Sequence, residues 1–519
     1  MAHVGMEEAR ASLAAHFGYQ SFRPGQEAVI EAALAGRDVL AVMPTGAGKS
    51  VCYQVPASIL GGLTIVISPL ISLMADQVRA LKDAGIRGSF YNSTLKPRVR
   101  PEVLRRALGG WYDVMYVAPE RLSSPDFRAF AAQANIPLIA VDEAHCVSQW
   151  GQDFRPAYRE IVSFVASLPT RPPVMALTAT ATSRVRTDIS RLLGLHDPFV
   201  QVSGFDRPNL YLSSLELTPK KREQWLVNYV REHPGDTGIV YATTRKKVDQ
   251  IAEDLCDEGI AAAAYHAGMP DDERAASQHA FAHDDVQVLV ATTAFGMGID
   301  KSNVRFVVNC GLPLSLEEYY QEAGRAGRDG EPAECYLLWS RGDIRTCHFF
   351  IDNTDGEGLT DEEYEQVVSN KERLLGDMIG YAMSTSCLRG RVLRYFGQRS
   401  DGSQACGGCS VCTGETADRY LRARRKKVVF GGGAGVVTPG ADLVELSDNP
   451  EDEACFQRLR ALRKELADEA AVPPYVVFSD ATLRAMIRRR PQTLEEMLEV
   501  SGVGQVKLER YGQIFLDAL

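Results

Sequence analysis

VLAVMPTGAGKS, residues 39–50, is the stretch from which the fold can be read. Four apolar residues, Val39 to Val42, run into a turn holding Thr45, Gly46 and Gly48, and a helix-like segment opens at Val51. A strand, a glycine-rich turn and a helix N-terminus together make a phosphate cradle. Backbone N–H groups point inward and the helix dipole favours anions. Lys49 is expected to reach the β- and γ-phosphates of a nucleoside triphosphate, and Ser50 to ligate Mg²⁺. The strict pattern has Gly where Met43 stands. A glycine-rich surface turn is the plain alternative, and a second strand that ends in carboxylates about 90 residues downstream argues against it.

That second strand is the apolar run Ile136 to Val141, and VDEAHCVSQWGQDFRPAY follows from Val141 to Tyr158. Asp142 and Glu143 leave the strand at its exposed end, as a metal and a water nucleophile require. Trp150, Phe154, Arg155 and Tyr158 follow in a loop with Gly151 and Pro156. Aromatics interleaved with arginine suit stacked bases and phosphates. The pattern implies nucleotide chemistry wired to nucleic-acid contact.

QEAGRAGR, residues 321–328, supplies a second set of charges. Arg325 and Arg328 lie three apart, so one helical turn is expected to put both guanidiniums on one face. Arginines of this kind stabilise charge on a transferring phosphoryl group. The alternative is a solvated helix face, but Gly324 and Gly327 would be costly in one. Upstream, the strand-like Val286 to Val290 leads into ATTAFGMGID, whose Gly296 and Gly298 suggest close backbone approach before Asp300.

Strand-like runs alternate with helical patterns through both halves of this region. LTIVISPL, DVMYVAPE, PLIAVDE and PVMALTAT lie in the first, and TGIVYATT, AAAAYHAG, VQVLVATT and VRFVVNCG in the second. Such alternation reads as α/β architecture with parallel sheets. The 519 residues, 45% hydrophobic and 24% charged, suit a soluble chain of several domains. No apolar run approaches ~18 residues, so no membrane span is expected, and the N-terminus lacks the look of a secretory signal. The net charge of −10 confines nucleic-acid binding to local basic patches.

Of the eleven cysteines, seven are scattered and read as small buried hydrophobes of a reducing compartment. Cys387, Cys406, Cys409 and Cys412 differ. Three thiols at x2 spacing in CGGCSVC, with eighteen residues between the group and the fourth upstream, suit tetrahedral Zn²⁺. A redox pair is the alternative, and the third clustered thiol does not fit it.

In this order the segments resemble the RecQ family of superfamily-two helicases, from about Leu13 to Cys412 and again from about Cys455 to Leu519. FGYQSFRPGQ, from Phe17, resembles the family's adenine motif, which implies Tyr19 stacking on the base with Arg23 and Gln26 hydrogen-bonding nearby. SQWGQDFRPAY resembles its aromatic-rich loop, which couples DNA binding to ATP hydrolysis. TATAT from Thr178, with Thr180 at the DNA, FDRPNL from Phe205 and AFGMGIDKSNVR from Ala294 also match, the last placing Gly298 and Asp300 at the nucleotide. The resemblance implies two RecA-like parallel-sheet lobes, residues 1–202 and 203–345. A helical zinc-binding module (346–418), a linker (419–452) and a small all-α HRDC-like bundle (453–519) would follow. ATP in the cleft would meet Lys49, Asp142 and Glu143 on one wall and Arg325 and Arg328 on the other, with His145 and Gln321 sensing the γ-phosphate. It also implies ATP, Mg²⁺ and Zn²⁺ as cofactors, and single-stranded and tailed or branched duplex DNA as partner. A monomer in a bacterial cytoplasm or nucleoid, working 3′ to 5′ in repair and recombination, is expected. A single-strand-binding protein or a topoisomerase is a candidate partner.

Two departures stand out. The family usually has His in the aromatic-rich loop where this chain has Gln152, which hydrogen-bonds but cannot change charge. Only about forty residues separate Cys412 from Cys455, too few for the winged-helix domain of about a hundred residues found there in many relatives. Those residues read RYLRARRKK, six basic in nine, then a Gly-rich and an acidic stretch, as in a linker. The basic run either grips phosphates or is simply solvated. In the last block ten acidic residues balance ten basic ones, and its GVG turn, residues 502–504, either binds a phosphate or connects helices. A 3′-to-5′ helicase, an ATP-gated clamp or strand-annealing factor, and a DEAH-type RNA helicase compete. The adenine motif and the aromatic-rich loop weigh against the last.

Overall fold

The computed structural model describes residues 5–293, 301–356, 358–398, 405–421, 450–470 and 472–519. They divide into two units: Met1–Phe205 with Asp355–Asn370, and Asp206–Thr354 with Lys371–Leu519.

The first unit is built on a parallel sheet. Its strands are β1 (Val39–Val42), β2 (Thr64–Ile67), β3 (Gly88–Tyr91), β4 (Val114–Val117), β5 (Ile139–Val141), β6 (Val174–Thr178) and β7 (Phe199–Val202). Their spatial order is β3-β4-β2-β5-β6-β1-β7. The five inner strands are buried at every position. That is why they read as continuous apolar runs, as expected of a parallel sheet covered on both faces. The edge strand β7 alternates, with Val200 and Val202 outward. Val29, Ile30, Val55 and Leu177 belong to the core that packs helices onto the sheet. Asp38 fixes the start of β1: its carboxylate accepts from Arg171 Nη2 at 2.6 Å, from Val174 N at 2.8 Å and from His196 N at 2.7 Å.

The second unit carries another parallel sheet: β8 (Leu210–Glu216), β9 (Thr237–Ala242), β10 (Ala262–Tyr265), β11 (Val288–Ala291), β12 (Val304–Cys310) and β13 (Ala333–Trp339). The order is β10-β11-β9-β12-β13-β8. An aromatic cluster fills one face. Trp225 stacks on Tyr229 at 5.1 Å between ring centroids and meets Tyr336 at 4.7 Å and Tyr420 at 5.0 Å.

Tyr420 lies beyond the clustered cysteines, so the chain that leaves them is pinned to this lobe. Asn228 Nδ2 donates to Tyr420 O at 2.8 Å. The cysteine module itself lies along β8, with Leu212 N donating to Gly408 O at 3.0 Å. Residues 450–519 form a helical bundle around Phe456, Leu459, Phe478, Met486 and Phe515. Its Arg463, 1% exposed, donates to Asp480 at 2.7 Å and to Phe478 O at 2.9 Å. Lys464 Nζ reaches Asp285 at 2.8 Å, beyond the bundle. No helix among the described residues is long and apolar enough to cross a membrane.

Candidate active site

The turn after β1 is shaped by Gly46 and Gly48, both in the left-handed region (φ 85° and 76°). A Cβ on Gly48 would lie 2.6 Å from Gln26 Nε2, so side chains are excluded here twice over. Gln26 Nε2 donates to Ala47 O and Gly48 O, both at 3.0 Å, while its Oε1 accepts from Arg23 N at 2.8 Å. Arg23 also donates to Gly46 O. The segment around Tyr19, itself 45% exposed, is thereby stitched to the phosphate loop. Lys49 Nζ donates to Met43 O at 3.3 Å, and Ser50 immediately precedes the helix Val51–Ile59.

The acidic pair leaves β5 as the sequence suggests. Glu143 has φ 46°, a conformation costly for a residue with a side chain. His145 is 1% exposed and sits between two partners, Glu143 Oε2 at 3.3 Å and Thr178 Oγ1 at 2.9 Å. Thr178 ends β6, and its carbonyl accepts from Met43 N at 2.9 Å. One residue therefore joins the phosphate loop to the acidic segment. Thr180 is 2% exposed and its carbonyl accepts from Thr178 Oγ1 at 3.2 Å. Burial, together with the charge of Glu143, raises Asp142 to about 6, against the pull of Lys49. Burial disfavours the charged form of His145, but Cys146 and Glu143 outweigh it and hold the imidazole well above its ordinary range.

The aromatic loop folds back on this segment. Arg155 N donates to Cys146 O at 2.9 Å, and Tyr158 Oη donates to Asp142 O at 2.8 Å. Gly151 packs so closely that a Cβ would stand 2.6 Å from His145 O. Arg155 Nη1 donates to Pro69 O at 3.2 Å. The guanidiniums of Arg184 and Arg159 lie over Trp150 and Phe154, the latter at 5.1 Å.

In the second unit Gln321 lies on the helix Leu316–Ala323. The helical turn expected through Arg328 is not formed, because the helix ends at Ala323 and turns follow. Gly327 takes φ 55°, and its Cβ would lie 2.5 Å from Asn209 Nδ2. Arg325 is 4% exposed. Sequence reading passed over the residues that hold this turn. Arg207 Nη2 donates to Gly327 O at 2.8 Å and Asn209 Nδ2 to the same oxygen at 2.9 Å. The signal was there, in the FDRPNL stretch ahead of QEAGRAGR, but nothing in the spacing says that they touch. Gly298 and Asp300 lie outside the described residues.

The sulfurs of Cys387, Cys406, Cys409 and Cys412 all lie within 4.8 Å of one another, with Cys406 and Cys412 at 3.9 Å. A tetrahedron of thiolates at about 2.3 Å from Zn²⁺ has edges of about 3.8 Å, so the donor set fits that ion. Both glycines between the ligands are explained. Gly407 takes φ 63°, and a Cβ on Gly408 would meet Arg389 Nη2 at 2.7 Å. That guanidinium has no room to move, since it donates to Asp206 at 2.7 Å and Leu210 O at 2.6 Å.

Four families of known proteins match successive parts of the chain. Residues 23–189 match the DEAD/DEAH box helicase family, 221–330 the helicase conserved C-terminal domain, 341–413 the RecQ zinc-binding family and 452–519 the HRDC domain. The chain is 37% identical over an alignment of 594 residues to the ATP-dependent DNA helicase RecQ of Bacillus subtilis, covering 99% of this chain and 98% of that one. It is 38% identical to the protein of the same name from Haemophilus influenzae, covering 96% and 94%. Among solved structures, Mycobacterium smegmatis helicase Lhr bound to single-stranded DNA and AMP-PNP shares the fold. It is 18% identical with a TM-score of 0.53, over 72% of this chain and 57% of that one.

Proposed function

The chain belongs to the RecQ family of ATP-dependent DNA helicases, and on that premise we propose that it moves 3′ to 5′ on single strands in DNA repair and recombination, its ATP hydrolysis coupled to DNA by the aromatic-rich loop. The observation that supports the coupling most directly is the pair of bonds from the loop to the acidic segment, Tyr158 Oη to Asp142 O at 2.8 Å and Arg155 N to Cys146 O at 2.9 Å. A strand that moved Trp150, Phe154 or Arg155 would pull on the backbone that carries the catalytic carboxylates.

The roles follow from the donors each residue offers. Lys49 and the N–H groups of Thr45, Gly46 and Gly48 bind the phosphates, and Tyr19, Arg23 and Gln26 hold the base and the loop beneath it. Ser50 and Asp142 would hold Mg²⁺, which when bound neutralises charge on the β- and γ-oxygens. Glu143 orients the attacking water and takes its proton. His145 and Gln321 sense the γ-phosphate, and Arg325 and Arg328 stabilise the charge of the transition state. Gly298 and Asp300 complete the nucleotide-binding set, and Thr180 the DNA-contacting one. Cys387, Cys406, Cys409 and Cys412 would hold a structural Zn²⁺ with no open position for chemistry.

The second reading, a translocase or annealing factor with little unwinding, is favoured by one observation. The alignment to the Bacillus subtilis relative spans 594 residues against the 519 of this chain, which leaves at least 75 positions without a counterpart here. We place the loss between Cys412 and Cys455, where a strand-separating domain sits in many relatives. The decisive experiment is ATP-dependent unwinding of a duplex with a 3′ single-stranded tail, with DNA-stimulated ATPase measured in the same samples. Unwinding together with stimulation supports the helicase. Stimulation over an intact duplex supports the second reading, and a duplex opened only from a 5′ tail refutes the polarity.

A further inference from the structure

Residues Asp355–Asn370 group with the first unit, although the chain on both sides of them belongs to the second. Their business there is the aromatic loop. The helix Asp361–Ala382 begins with a reciprocal cap: Thr360 N donates to Glu363 Oε2 at 3.0 Å and Glu363 N to Thr360 Oγ1 at 3.3 Å. The other carboxylate oxygen of Glu363 accepts from Arg159 Nη2 at 2.7 Å. Arg159 is the residue whose guanidinium lies 5.1 Å from the Phe154 ring. Seven residues on, Asn370 is 2% exposed and its Nδ2 donates to Gln149 O at 3.2 Å, one residue before Trp150.

Positions i and i+7 are two turns apart on the same helix face, about 10.5 Å along the axis. One helix face thus holds both ends of the segment 149–159. It grips the main chain at one end and, through Arg159, an aromatic ring at the other. The Arg159–Glu363 pair is half-exposed and contributes little to global stability. An interaction of that size is still enough to bias a loop between two arrangements.

We propose that Glu363 and Asn370 are positioning residues for DNA-coupled ATP hydrolysis. They hold the aromatic-rich loop in the arrangement in which Trp150 and Phe154 meet a single strand. The inference rests on the coupling role proposed for that loop.

The test uses the full chain. Glu363→Gln keeps a residue able to complete the helix cap but removes the charge that faces Arg159. Asn370→Leu keeps the volume, brings no charge into a buried position and cannot donate to Gln149 O. ATPase is measured without DNA and across a titration of a single-stranded oligothymidylate, with Trp150→Ala alongside. The expected result is a loss of about three- to tenfold in the stimulation ratio, with DNA-free turnover, the KM for ATP and the melting temperature unchanged. An unaltered ratio in Glu363→Gln and Asn370→Leu, with stimulation lost in Trp150→Ala, overturns the proposal and leaves the loop's role standing. An unaltered ratio in all three overturns both. Parallel loss of melting temperature and DNA-free turnover shows a merely structural contact and also overturns it.

Discussion

The phenol of Tyr158 donates to the main-chain carbonyl of Asp142, sixteen positions earlier in the chain, at 2.8 Å. Tyr158 is fully buried, and Asp142 directly follows the strand β5. The far end of the aromatic loop is therefore tied to the backbone from which the acidic pair projects, and movement of the loop has a short path to Asp142 and Glu143.

Tyr158→Phe removes that bond and nothing else. The chain should fold, with a loss of about 1 kcal/mol for one buried hydrogen bond. Stimulation by single-stranded DNA should fall several-fold while DNA-free turnover changes little. Steady-state ATPase with and without oligonucleotide checks this, and equal loss in both conditions would count against the coupling path.

Lys49→Ala or Glu143→Gln should abolish turnover by different routes. The first weakens nucleotide binding, because a phosphate loses its cation. The second leaves binding intact and removes the group that orients water. Fluorescent-nucleotide titration separates the two, and a Glu143→Gln protein that still hydrolysed ATP in response to DNA would remove Glu143 from its role.

Asp38 governs an acid limb of stability. Burial acts to raise its carboxyl, but the Arg171 hydrogen bond and the N–H groups of His196 and Val174 outweigh burial and hold it below the ordinary range. A lowered folded value means a contribution that is fully present above the unfolded value of about 3.9 and is lost as pH falls through the folded one. Asp38→Asn should cost about 2–3 kcal/mol at neutral pH. In urea melts below about pH 4 it should lose less further stability than the unaltered chain.

Arg207→Ala should loosen the turn that carries Arg325 and Arg328, since two carbonyls of that turn, Ala326 O and Gly327 O, lose a donor. The expectation is a fall in kcat of about tenfold or more with a modest change in KM for ATP, as befits groups that act on transition-state charge. A raised KM at constant kcat would instead assign the turn to ground-state binding.

Zinc should be present at one ion per chain, and Cys409→Ser should lose it. Because the module lies along β8 and shares its aromatic anchor with the second lobe, metal loss should lower the melting temperature of that unit as well as of the module. Elemental analysis with a thermal melt after chelation checks both halves.

Much of the fold was legible because a parallel sheet writes itself into the chain. VLAV, TIVI, VMYV and VMALT are continuous apolar runs, since their strands are covered on both faces. The glycine-rich turn, the acidic pair and the clustered cysteines were legible for another reason: each is a group of neighbours in sequence, so its spacing can be read directly. The helix expected through Arg325 and Arg328 was not found, because a period of three does not distinguish a helical turn from two glycine turns braced by Arg207 and Asn209.

What the sequence determined by itself is therefore the parts: two sheets, a phosphate cradle, an acidic strand end, an aromatic loop and a cysteine set. What only the tertiary structure decided is which parts hold one another. Gln26 supports Ala47 and Gly48 from twenty-one and twenty-two residues away, and Asn370 supports Gln149 from two hundred and twenty-one. Such bonds join a side chain to a main-chain carbonyl. The carbonyl is the same on every residue, so the accepting side leaves no mark in the sequence, and only the packed fold shows where it lies.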